Sequence, residues 1–195
     1  MKPAEICTAI LGKTRIESIL QELSTPQVKA ILSEGDVKVK LPAGYVSQTK
    51  RRQAWTAKIV AAIEEANQTL CAELLQQWLL NHRRKMLIDF LDHLEVKHRH
   101  GETDESFLIS HSVERVRADA AWLLTQHDRA EAIAYLAYIA YQQRSTVFDG
   151  WEELGAVDGS PVAAATAPPA GAAAAEAAHP PAKADEASPP EPASH

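Results

Sequence analysis

Residues 70–94, LCAELLQQWLLNHRRKMLIDFLDHL, run for twenty-five positions without a glycine or a proline and form the most apolar long stretch of the chain. Placed on a helix at 100° per residue, Cys71, Leu74, Leu75, Trp78 and Leu79 share one face. Leu87, Phe90, Leu91 and Leu94 share a second face, turned by about 140° from the first. Either one helix is buried on two sides, or the helix breaks near residues 81–84. Both readings put the stretch at the centre of an all-α core.

The flanking sequence supplies further helices. Ile16, Ile19, Leu20 and Leu23 make an i, i+3, i+4, i+7 stripe, with Thr14 and Glu17 spaced as a capping box. Thr25 and Pro26 restart a helix that buries Val28, Ile31 and Leu32 and ends at Gly35. Ser47 or Thr49 opens a long helix whose face is Trp55, Ile59, Ala62, Ile63 and Ala66. Asn67, Gln68 and Thr69 read as a loop or as a polar turn inside that helix. After Leu94 the apolar pattern stops, and residues 95–106 form the main loop, with Gly101 at a turn. Phe107, Leu108 and Ile109 re-enter the core. Ser110 or Ser112 caps a helix with the stripe Val113, Val116, Ala120, Leu123 and Leu124. Asp128 and Glu131 start a last helix over residues 129–143 whose stripe is Ile133, Leu136, Ala137 and Ala140.

Only residues 36–46 change period: Val37, Val39 and Leu41 alternate with Lys38 and Lys40. With no second strand to pair with, this segment reads as an extended strap lying on helices. From Ala156 onward the sequence is nearly all Ala, Pro, Glu, Ser and Gly. That composition buries too little apolar surface to offset the entropy of ordering it. The expected architecture is therefore an irregular all-α bundle of five to seven helices with a short extended strap, over residues 1–155. A disordered Ala/Pro/Glu-rich tail follows over residues 156–195.

Several function classes lack support. No stretch reaches the roughly 18 apolar residues of a membrane span. The opening MKPAEICTAILGK is cut by Glu5, Thr8 and Gly12, unlike the continuous apolar region of a signal peptide. The expectation is a cytoplasmic protein with no membrane partner. Cys7 and Cys71 stand at no metal-like spacing and read as reduced buried thiols. There is no Gly-rich phosphate loop, no nucleophile elbow and no HExxH. Residues 13–58 carry nine basic side chains against four acidic, among them Lys50, Arg51 and Arg52. Residues 101–155 carry four basic against ten acidic. The net charge of −6 argues against nucleic acid, and the basic clusters are expected to pair with later acidic residues.

Two features carry the functional expectation. Tyr135, Tyr138 and Tyr141 recur every three residues beside the last aliphatic stripe, and Phe148, Trp151 and Leu154 follow in the acidic segment FDGWEEL. These six are the candidate partner-binding residues. They lead to a non-enzymatic interaction or adaptor protein that binds an unidentified protein, or a second copy of itself, through an aromatic face and needs no cofactor. The alternative is a metal-binding regulator or metal-dependent enzyme built on the His/Asp cluster of residues 82–104. Asp89, His93, His98 and His100 would hold a divalent metal such as zinc.

Overall fold

The computed structural model describes residues 1–40, 47–103 and 106–155. The outer part of the expected strap and the whole expected tail lie outside the described residues, as does Asp104. The chain divides into two units, Met1–Ser160 and Pro161–His195, and every described residue belongs to the first. Seven helices of ten residues or more build that unit, and among the described residues there is no strand.

The chain opens with a helical turn, Pro3–Glu5, that continues as a wider π-helical segment, Ile6–Leu11. Gly12 ends it at φ +68°, a left-handed conformation open to glycine, and so splits the first helical region in two. Helix α1, Gly12–Glu22, begins at that glycine. The expected Thr14 cap is therefore not used, because Thr14 already lies in the first turn. Helix α2, Thr25–Glu34, is capped by Ser24 rather than Thr25: the Ser24 N–H donates to Gln27 Oε1 at 2.7 Å. Gly35 follows at a close approach, where an added Cβ would stand 2.7 Å from Leu70 Cβ. Val37 and Val39 lean on the core while Lys38 and Lys40 face solvent, so residues 37–40 run as the expected strap.

Helix α3, Gln48–Glu64, is capped by Ser47, whose Oγ accepts from Lys50 N–H at 3.4 Å. Lys50 and Arg51 in its first turn, and Arg52 just beyond, oppose the helix dipole. Arg52 shows what offsets that cost: its guanidinium reaches the Leu20 and Leu23 carbonyls at the end of α1. A cation misplaced on its own helix thus caps the C-terminus of another. The helix ends before Ala66, which is exposed at φ +58° instead of joining the buried face. Asn67 then serves two elements. Its Oδ1 accepts from Leu70 N–H at 3.0 Å, and its Nδ2 donates to Gly35 O at 2.9 Å.

The central stretch is two helices, α4, Gln68–His82, and α5, Arg84–His93, broken at Arg83 with φ −124° and ψ 21°. Both apolar faces are buried. Phe90 meets Phe107 at 6.2 Å and Tyr135 at 5.7 Å between ring centroids, both edge-on. The residues 95–103 fold back on α5, with Gly101 at φ +89° and its Cβ position 3.2 Å from Leu87 Cβ.

A short turn, Phe107–Ser110, buries Phe107 and Leu108 but leaves Ile109 65% exposed. Helix α6, Val113–Gln126, is capped by Ser112, and its stripe is buried from Val116 onward. Val113 is 43% exposed, since it stands in the first turn beyond the edge of the neighbouring helices. Helix α7, Arg129–Gln142, is capped by Asp128, whose Oδ1 accepts from Glu131 N–H at 3.0 Å. The described residues end in a short turn, Glu152–Gly155.

Candidate functional site

The tyrosine row of α7 runs from core to solvent. A spacing of three residues falls 60° short of a full turn, so six residues rotate the row by about 120°. Tyr135 is 3% exposed and lies against Phe90; Tyr138 is 7% exposed, and its hydroxyl accepts from Gln142 Nε2 at 2.5 Å. Burial pushes the Tyr138 phenol up to about 12. Tyr135 and Tyr138 are therefore not open to a partner on the folded domain. Tyr141 is 42% exposed.

Tyr141 meets the other three expected residues in one groove of about 910 Å³, lined also by Met1, Lys2, Glu5 and Ile10 of the N-terminal segment. Phe148 is buried in its floor, and Trp151 and Leu154 are half-buried. The Phe148 and Trp151 rings stack at 5.5 Å with planes 28° apart. Gly150, at φ +66°, turns the chain between them. Two arginines pin this segment. Arg117 donates through Nε to Val147 O at 2.8 Å and through Nη2 to Asp149 O at 3.0 Å. Arg129 Nη2 donates to Glu153 O at 3.0 Å. The FDGWEEL segment thus docks on its own domain and becomes a wall of the groove. Sequence reasoning did not find Arg117 and Arg129, because their partners lie 24 to 32 residues away with no local signature.

The His/Asp cluster is dispersed into pairs. Asp89 accepts from Lys85 at 2.6 Å and is bonded to His127 Nε2 at 3.0 Å. His93 stacks on Trp122 with ring centroids 4.0 Å apart and has its Nε2 3.4 Å from the buried Asp119. Asp119 also accepts from Arg115 Nε at 3.0 Å. His98 Nε2 is bonded to Asp92 at 2.9 Å, and its Nδ1 accepts from Gly101 N–H at 3.2 Å. His100 is exposed at φ +56°. Asp89 and His93 do share a groove of about 450 Å³ with Asp92, His127, Trp122 and Lys85. His98 and His100 do not line it. Among the described residues, no three His, Cys, Asp or Glu side chains are placed to hold a metal ion. Asp89, His93 and His98 are each paired elsewhere, with His127, Asp119 and Asp92, while His100 stands exposed beyond the turn at Glu95, which has φ +60°.

The expected pairing of basic clusters with acidic residues holds in part: among the described residues Lys50 and Arg51 are exposed without an ion pair and Arg52 bonds carbonyls, whereas Arg83 and Arg15 meet carboxylates. Arg83 Nε and Nη2 donate to Glu131 at 2.5 and 2.8 Å, and Nη1 and Nη2 to Glu22 at 3.0 and 3.2 Å. Its guanidinium also stands 5.2 Å from the Trp78 ring centroid. Arg15 is paired with Asp128 and lies 3.7 Å from Glu131. Hydrogen bonds donated to Glu131, then to Glu22, hold the Arg83 guanidinium protonated, outweighing burial. At Asp128 burial works to raise the carboxyl. The bonds from Arg15 and the Glu131 and Ala130 N–H groups outweigh it and hold the group below its ordinary value.

The chain matches no protein-family model, no curated protein and no solved structure. No helix among the described residues is long and apolar enough to cross a membrane.

Proposed function

We propose that this protein is a non-enzymatic interaction protein whose groove between the N-terminal segment and residues 141–154 receives a short amphipathic segment of a protein partner. One observation carries the reading: Tyr141, Phe148, Trp151 and Leu154 line one groove together with Met1 and Ile10 from the other end of the sequence. The floor of Ile133, Ala137, Ala140 and Phe148 is apolar and the rim carries both signs, Lys2 and Arg144 with Glu5 and Asp149. That pairing suits an apolar stripe flanked by mixed charges. A polyanion would instead favour a basic surface, and Arg15, Arg52 and Arg83 are occupied by carboxylates and carbonyls.

The test is the double variant Tyr141→Ala, Trp151→Ala of the full chain. It is expected to lose the association with proteins that co-purify from the chain's own cells while keeping the melting temperature within a few degrees. Unchanged association with an intact fold would remove the groove from consideration.

A further inference from the structure

A separate cavity, of about 360 Å³, lies between α4, α5, α7 and the turn at Gly101. Its floor is Leu79, Leu87, Leu91 and Phe107, all buried, and the half-buried Leu80 and Ile139 stand at its edge. Gly101 makes the enclosure possible: with no side chain, its backbone packs onto Leu87 and closes that side. The size and the apolar floor are those of a small-molecule site.

Two phenols of α7 supply the polar handles. Tyr135 and Tyr138 both line the cavity, and at three residues apart they are neighbours on the helix surface. Tyr135 is 3% exposed, yet among the described residues its hydroxyl has no hydrogen-bond partner, and burial is the only influence that raises its phenol. A buried hydroxyl with nothing to bond is costly, and folded proteins seldom leave one so. The Tyr138 hydroxyl accepts from Gln142 Nε2 at 2.5 Å, which leaves its own proton to give. The wall therefore presents two unused O–H donors beside an apolar floor. Charge narrows the ligand further. Of the side chains on the wall only Glu102 is charged, and it is exposed. No cation is there to receive a carboxylate or a phosphate, and the Glu102 carboxylate repels either.

We propose that this cavity binds a small neutral molecule with an apolar body and a carbonyl oxygen, such as a ketone, ester or lactone, which accepts from Tyr135 and Tyr138. Binding here does not depend on a protein partner at Tyr141 and Trp151.

The isotope-labelled full chain is titrated with acetophenone, ethylbenzene and benzoate at neutral pH, and the amide resonances are followed. Acetophenone is expected to bind about fivefold more tightly than ethylbenzene, its near-isostere without the oxygen, which is the worth of one net hydrogen bond. Benzoate is expected not to bind. The shifts should centre on Leu80, Gly101 and Ile139. Tyr135→Phe removes the unpartnered hydroxyl and should narrow the difference between the two neutral probes, with a melting temperature unchanged or higher. Adding Tyr138→Phe should close the difference. Equal affinity for acetophenone and ethylbenzene in the unaltered chain, benzoate binding as tightly as acetophenone, or no binding of any probe would overturn the proposal. So would shifts centred on residues 148–154. A melting temperature several degrees lower in Tyr135→Phe would do the same, by showing that the hydroxyl is bonded within the fold.

Discussion

The two ends of α7 are built in opposite ways. At its start, Asp128 and Glu131 are locked to Arg15 and Arg83, and Arg83 also holds Glu22. Three stretches distant in sequence, the end of α1, the break between α4 and α5, and the first turn of α7, are tied through one guanidinium. At its other end, Tyr141 and the stacked Phe148 and Trp151 border a groove that the chain's own side chains leave open. Charges satisfied internally leave nothing for a partner to read. Apolar walls left uncovered are where association gains most. On the reading proposed above, the closed end serves stability and the open end is the surface offered to a partner.

The largest effect is expected at the closed end. Arg83→Ala leaves Glu131 and Glu22 without their shared cation at a half-buried site, costing about 3 kcal/mol. That corresponds to a fall of about 10 °C in melting temperature by calorimetry for a domain of this size. A loss under about 1 kcal/mol would show that the network is surface decoration.

Arg117→Ala carries the comparison to the open end. It frees the Val147 and Asp149 carbonyls, costing about 1–2 kcal/mol. Amide hydrogen exchange should quicken over residues 146–154 while α5 stays protected, and uniform quickening would mean the two ends are not separable.

Two pH limbs follow from the shifted groups. The Asp128 carboxyl is depressed in the fold, so its contribution is complete above its ordinary carboxylate range, about 4. It is lost as pH falls through the lower folded value. Asp128→Asn should flatten the acid limb of stability, as read by urea midpoints. The Tyr138 phenol is raised to about 12, so its contribution is complete below about 10 and is lost as pH climbs from there towards 12. Absorbance at phenolate wavelengths should show it ionising together with loss of helix.

The smallest effect on stability belongs to Tyr141→Ala, within about 0.5 kcal/mol because the side chain is exposed. A large destabilisation there would make Tyr141 a packing residue and the groove part of the core.

Apolar period carried most of the fold. The stripes of α1, α2 and α7, the caps at Ser47, Ser112 and Asp128, and the two buried faces of residues 70–94 are all legible as local spacing. The break at Arg83 was visible only as a change of face; the carboxylates that hold the Arg83 side chain there lie 48 and 61 residues away. Ile109 and Val113 obey the apolar pattern yet face solvent, because periodicity cannot say where the neighbouring helices stop. The candidate site divided along the same line. Phe148, Trp151, Leu154 and Tyr141 were legible as an aromatic group. Met1 and Ile10, the opposite wall, come from the other end of the chain and carry no local mark. The spacing of three tyrosines suggested a single face, whereas helical rotation divides it between core and groove.

The most direct test places a photo-activated cross-linking amino acid at position 141, and at position 50 on α3 as a control, and illuminates cells that make the protein. A discrete protein adduct at 141 that is absent at 50 and lost on adding Trp151→Ala is the predicted result. Equal adducts at both positions, or an adduct at 141 that survives Trp151→Ala, would contradict the assignment of the groove as the binding surface.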